Sequence, residues 1–191
     1  MGVDQSKTRP TEDDIQKLSS ITHFTPQEIN MLWQKFYDLA MSQTADGLID
    51  INEFQAALGL ASQGFAKRLF SAFDLNCDQH IEFQEFCKGL SSLSPKASIH
   101  EKCEFCFSVY DIDKDGFIDR DELKEVLKYS LVENTGVHLD PVQLNKIIAA
   151  TFRAMDKNGD NKISLDEFEA EAIRNKGILN CVNFSLESLI Q

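Results

Sequence analysis

The chain has 191 residues, 42% of them hydrophobic and 26% charged, with a formal net charge of −12. That balance suits one ordinary water-soluble domain or two small lobes. Its sign argues against nucleic acid as a partner and against broad attraction to anionic membranes, and no apolar run is long enough for a membrane-spanning helix.

At the N-terminus, Met1-Gly2-Val3-Asp4-Gln5-Ser6 fits the N-myristoylation pattern at Gly2 and lacks the apolar segment of a signal peptide. One acyl chain gives only marginal, reversible membrane binding. Val3 offers no thiol for a second chain, and Lys7 and Arg9 are opposed by Asp4, Glu12, Asp13 and Asp14. The expectation is a cytoplasmic protein, peripheral at a membrane when lipidated, with residues 1–23 as an N-terminal segment.

From Phe24 onward the chain repeats one unit: a helical apolar stripe, an acidic loop, a second stripe. In the loop, oxygen-bearing side chains stand at positions 1, 3 and 5, a turn residue at 6, an apolar residue at 8 and Glu at 12. This spacing fits calcium, which takes 6–8 hard oxygens at roughly 2.3–2.6 Å, so the chain must wrap the ion. Position 7 contributes its carbonyl, and the Glu closes the cage with two oxygens.

The first unit opens on a capping box with Pro at the first helical position, Thr25-Pro26-Gln27-Glu28, followed by the stripe Ile29, Leu32, Trp33, Phe36 and Leu39. Its loop is irregular. Twelve residues back from Glu53 stands Ser42, where a carboxylate belongs, whereas the stripe places the start at Ala40 and makes a 14-residue loop, Ala40–Glu53. Two readings stay open: binding through Ala40, Asp46, Leu48 and Glu53, or a purely structural hand. The second loop supplies Asp74, Asn76, Asp78, the His80 carbonyl, Glu82 and Glu85, with Gln79 straining the turn by about 1 kcal/mol. Residues 24–90 thus read as an N-lobe, and the polar breaker at 91–98 as a linker.

The third unit opens at the capping box Ser98-Ile99-His100-Glu101 and carries the most complete loop: Asp111, Asp113, Asp115, Gly116, the Phe117 carbonyl, Asp119 and Glu122. The fourth opens at Asp140-Pro141 and supplies Asp156, Asn158, Asp160, the Lys162 carbonyl, Ser164 and Glu167, with Asn161 at the turn. Residues 99–175 form the C-lobe. The fold class is all-α: four EF-hands in two paired lobes, with short two-stranded β ladders joining Ile49 to Ile81 and Ile118 to Ile163. Residues 176–191 are a tail in which Phe184, Leu186, Leu189 and Ile190 suit a short amphipathic helix, either packed on the C-lobe or lying as a lid.

The cofactor expected is Ca2+, two to four ions and three from the regular loops. The Phe-rich faces (Phe36, Phe54, Phe70, Phe73, Phe83, Phe86) are expected to line a groove that takes an amphipathic helix from a partner once calcium reorients the helices. The five cysteines form no obvious framework, and Cys103-x-x-Cys106 falls within a helical pattern, so both read as core residues. No catalytic constellation is evident, and a calcium buffer is the competing reading.

On these features the chain resembles the calcineurin B-like calcium sensors best known from plants, within the wider calcineurin B group. The points of likeness are four hands, the Gly2 signal, the 14-residue first loop followed by "DGLIDINEF" and the long C-lobe connection at Val132–Pro141. The resemblance runs from about Thr22 to Leu189 and implies a non-catalytic regulatory subunit. In the calcineurin B-like sensors the partner is a serine/threonine kinase; in calcineurin B it is a phosphatase. The kinase-binding members carry a terminal Phe-Pro-Ser-Phe motif, for which Ser185 and Ser188 are the substitutes here.

Overall fold

The structure, a computed structural model, describes residues 9–44, 46–135 and 140–179, with side chains for all of these except 130–135 and 176–177. Among them are nine helices: α1 (Glu12–Ile21), α2 (Pro26–Ala40), α3 (Ile51–Leu58), α4 (Gln63–Phe73), α5 (Phe83–Leu93), α6 (Ile99–Tyr110), α7 (Arg120–Thr135), α8 (Pro141–Met155) and α9 (Leu165–Arg174). A 3-10 turn follows at Lys176–Leu179. Gly2 and residues 180–191 of the tail lie outside the described residues.

Helix starts follow the capping chemistry. At α2, the Thr25 hydroxyl accepts from the Glu28 N–H while Pro26 occupies the first turn. Ser98 and Asp140 open α6 and α8 in the same way, so the orphan N–H groups of these first turns are met by side chains. One helix was not anticipated. Thr11 and Asp14 form a capping box that starts α1 inside the N-terminal segment, and Ile15 and Leu18 bury its inner face. The signal was Thr-x-x-Asp with apolar residues three apart, masked by the run of acids in the first turn.

Both expected β pairings form, one as a two-stranded ladder and the other as a single bridge. Phe117–Ile118 (β1) pairs antiparallel with Ile163–Ser164 (β2), placing Ile118 opposite Ile163. Ile49 and Ile81 make an isolated antiparallel bridge, exchanging hydrogen bonds at 3.1 and 2.9 Å. Every one of these four isoleucines is buried.

The expected linker is partly helix. α5 continues through Ser91–Leu93, Ser94 and Ala97 are buried, and only a tight turn separates α5 from α6. The two lobes share one hydrophobic core, with the Phe73 ring edge-on to Phe105 at 5.2 Å. A polar clasp secures the same junction from outside. The His23 N–H donates to Ser91 Oγ (2.8 Å), His23 Nε2 meets Glu101 Oε1 (2.8 Å), and Lys96 Nζ reaches both the His23 carbonyl (3.2 Å) and Glu28 (3.3 Å). The turn between α1 and α2 is thereby tied to the α5–α6 junction. The first four residues of the long C-lobe connection, 132–135, belong to α7, and α8 begins at Pro141.

The groove expectation is corrected by burial. Phe36, Phe54, Phe70, Phe73 and Phe86 are buried and Phe83 is half-buried. They pack on one another: Phe54 lies edge-on to Phe70 and Phe73, and Phe36 touches Phe83 and Phe86. Helix α1 lies on α2 and α5, and α6 lies on α4 and α5, so elements that a two-helix reading of each hand leaves out cover these faces. Cys103 and Cys106 are interior as expected, Cys87 is buried as well, and burial pushes the Cys103 thiol up to about 11.

Candidate metal centre

In each regular loop the chain is held by its own donors. Position 1 ends the entering helix, and its carboxylate receives loop N–H groups. Asp111 Oδ1 and Oδ2 accept from Asp115 (3.1 Å) and Gly116 (3.0 Å), and Asp74 accepts likewise from Asp78 and Gln79. Asp156 Oδ2 accepts from Asn161 at 3.1 Å. Position 6 has a positive φ every time: 87° at Gly47, 70° at Gln79, 85° at Gly116 and 64° at Asn161. Gln79 therefore adopts the left-handed turn that its place in the pattern demanded. Position 4 is left-handed as well, at Cys77, Lys114 and Gly159, a constraint that the residue types at Cys77 and Lys114 concealed.

The closing glutamate bridges the loop and the helix that follows it. Glu122 Oε1 accepts from the Ile112 and Asp113 N–H groups (2.8 and 3.3 Å), and Oε2 from Asp119 (2.8 Å). Glu85 and Glu167 repeat the arrangement. The carboxylates of Asp111, Asp113 and Asp115 each offer an oxygen within 4.8 Å of the others. Burial first, and then repulsion from Asp115 and Asp113, raises the Asp111 carboxyl above its ordinary range, against the loop N–H bonds that lower it. An all-oxygen, carboxylate-rich cage of this spacing fits a hard divalent cation, and calcium above the alternatives.

The irregular loop is resolved by its hydrogen bonds. Glu53 Oε1 accepts from Gln43 (3.0 Å) and Thr44 (3.2 Å), the partners that positions 2 and 3 supply elsewhere, so Ser42 occupies position 1 of the glutamate's register. Yet the Gly47 N–H, at position 6, points to the Ala40 carbonyl at 3.4 Å, where the other loops use the carboxylate of position 1. The two extra residues swing a backbone oxygen into the place of a missing side chain. Asp46 Oδ1 receives the Leu48 N–H (2.9 Å) as its counterparts do, and Glu53 is buried. Ala40, Asp46, Leu48 and Glu53 thus fall into one loop with EF-hand connectivity.

Two long side chains escaped the sequence reading. Lys162, placed there as a carbonyl donor, also sends its ammonium into the third loop, 2.6 Å from Asp115 Oδ2. Lys114 of the third loop reaches the exposed Cys77 of the second at 2.9 Å. Pattern matching reads a position for the donor it supplies, not for where a four-carbon stem ends.

Residues 100–173 match the EF-hand domain pair family. The calcineurin B protein of Yarrowia lipolytica is 41% identical over 150 residues, covering 78% of this chain and 83% of that protein. The calcineurin B protein of Naegleria gruberi is 38% identical over 168 residues, 88% of this chain and 90% of its own. The chain belongs to the calcineurin B family of EF-hand proteins. Human calcineurin B type 2 is 36% identical over 149 residues, covering 78% of this chain and 84% of that protein. These relatives carry the calcineurin B name, not that of the kinase-binding sensors which the first loop resembles.

An apolar opening lies in the C-lobe of this calcineurin B family member. It is a cavity of about 380 Å3 bounded by Tyr110, Leu123, Leu127, Met155, Phe168 and Ile178. It sits where α7, α8 and α9 meet, and Val142 and Ile147 of α8 are partly exposed. No helix among the described residues is long and apolar enough to cross a membrane.

Proposed function

We propose that the chain is a non-catalytic, calcium-binding regulatory subunit of a serine/threonine protein phosphatase. The observation that carries this reading is the coincidence of cage-forming loops with extended identity to proteins that bear the calcineurin B name. Asp74, Asn76, Asp78, His80 and Glu85 hold one ion, Asp111, Asp113, Asp115, Phe117 and Glu122 a second, and Asp156, Asn158, Asp160, Lys162 and Glu167 a third. His80, Phe117 and Lys162 serve through their carbonyls. The first loop holds a fourth through the Ala40 and Leu48 carbonyls, Asp46 and Glu53, more weakly because it has fewer charged donors.

The partner segment is an amphipathic helix of the catalytic subunit, and the C-lobe cavity suits it better than the buried phenylalanines do. Each closing glutamate sits at the third residue of its exiting helix, so drawing both its oxygens onto an ion pulls on that helix and shifts the cavity's walls. The phosphatase reading takes precedence over the kinase one, which the 14-residue first loop alone favours. Gly2 myristoylation adds a weak, reversible membrane contact.

Calorimetric calcium titration of the full chain should show three or four sites, and Glu53→Gln should remove only the weakest. Helical peptides from a phosphatase catalytic subunit and from a kinase regulatory segment are then compared for calcium-dependent binding. Preference for the phosphatase helix supports the proposal. Preference for the kinase segment, or no calcium binding, refutes it.

A further inference from the structure

The Lys162 ammonium stands 2.6 Å from Asp115 Oδ2 and 5.0 Å from the centre of the Phe117 ring. Asp115 Oδ1 is already engaged by the Phe117 N–H at 2.9 Å. Asp115 thus has one oxygen fixed by the loop and the other capped by a cation from a different hand. We propose that Lys162 is a built-in counter-cation of the third loop, lowering its calcium affinity.

The inference rests on the calcium reading. Lys162 carries the ordinary charge of a lysine through the neutral range. A lone aspartate triad is costly without a cation. An intrachain ammonium relieves that repulsion in the metal-free loop and must yield, or share its oxygen, when a divalent ion arrives. The same residue belongs to the fourth loop, where its backbone carbonyl is a proposed donor and where Ile163 pairs with Ile118. Both side chains are about two-fifths exposed, so the effect is screened by salt rather than buried and absolute.

The test uses the full chain with calcium alone as ligand, and follows the Gly116 amide by NMR as a reporter of the third loop. Lys162→Gln should fill that loop at roughly fivefold lower calcium, Lys162→Arg should leave it unchanged, and the difference should shrink in high salt. In a Glu167→Gln background, which disables the fourth loop, the Lys162→Gln gain should persist. This separates charge from fourth-loop occupancy. Equal or weaker binding by Lys162→Gln, with Gly116 still responding to calcium, would overturn the counter-cation proposal alone. A Gly116 amide that ignores calcium in the unaltered chain would overturn the calcium reading of this loop, and the proposal with it.

Discussion

Gly89 lies within α5 against Phe73, and a methyl group there would fall inside the contact distance of the Phe73 ring. Phe73 is fully buried, with Phe54 at 5.4 Å on one side and Phe105 of the C-lobe at 5.2 Å on the other. The ring has nowhere to go without moving a second ring. Overpacking of this kind costs about 1–3 kcal/mol, with the upper part of that range expected for a ring held on both sides. Against it, Ala in a helix interior gains about 1 kcal/mol over Gly. Gly89→Ala should therefore destabilise the chain by about 1–2 kcal/mol, lowering Tm by about 3–6 °C for a chain of this size. The assay is urea unfolding followed by Trp33 emission, in calcium-free and calcium-loaded protein. Gly64→Ala is the control. Its added methyl would lie 2.5 Å from the Tyr129 ring, but Tyr129 is only half-buried and its far end can swing aside, so the change should stay within about 0.5 kcal/mol. A Gly89→Ala protein as stable as the original would show that the Phe73 junction yields, and the account of a rigid shared interior would fail.

The Ser98 hydroxyl and N–H, and then His23, hold the Glu101 carboxyl down at about 2, against an ordinary 4.5. A depressed carboxylate contributes stability above its unfolded value and loses it as pH falls through the folded one. Acid titration between pH 4.5 and 2 should therefore weaken the clasp, and Glu101→Gln should flatten that limb while costing about 0.5 kcal/mol at neutral pH, read by thermal melts. Gln79→Gly relieves a side chain at φ 70° and should leave stability level or raise it by up to about 1 kcal/mol, while tightening the second loop in a calcium titration. Gly2→Ala should abolish both acylation, read by intact mass, and flotation with neutral vesicles.

Much of the architecture was legible because EF-hand chemistry constrains residue type and spacing together. Asp111, Gly116, Ile118 and Glu122 announce a loop, and the structure ties Asp111 and Glu122 to loop N–H groups and pairs Ile118 with Ile163 as expected. Helix starts were legible for the same reason, since a cap is a local interaction among residues three apart. What escaped depends on distant neighbours. The phenylalanines read correctly as apolar faces, but whether a face lines a groove or a core is decided by what lies on it, and α1 and α6 could not be placed from periodicity. The first loop was legible as two competing registers. Only the backbone showed that both operate, with Glu53 in one and the Ala40 carbonyl in the other.

The junction at Phe73 and Phe105, clasped by His23, Lys96 and Glu101, bears on how this molecule would answer a rising signal. Two lobes on a loose tether act as separate dials, each turning at its own concentration. Halves that share an interior cannot shift one at a time without straining the seam, so the first binding events store their effect until enough have accumulated to move the whole. Such a chain should act as a threshold element, with a response steeper than any of its loops would give alone.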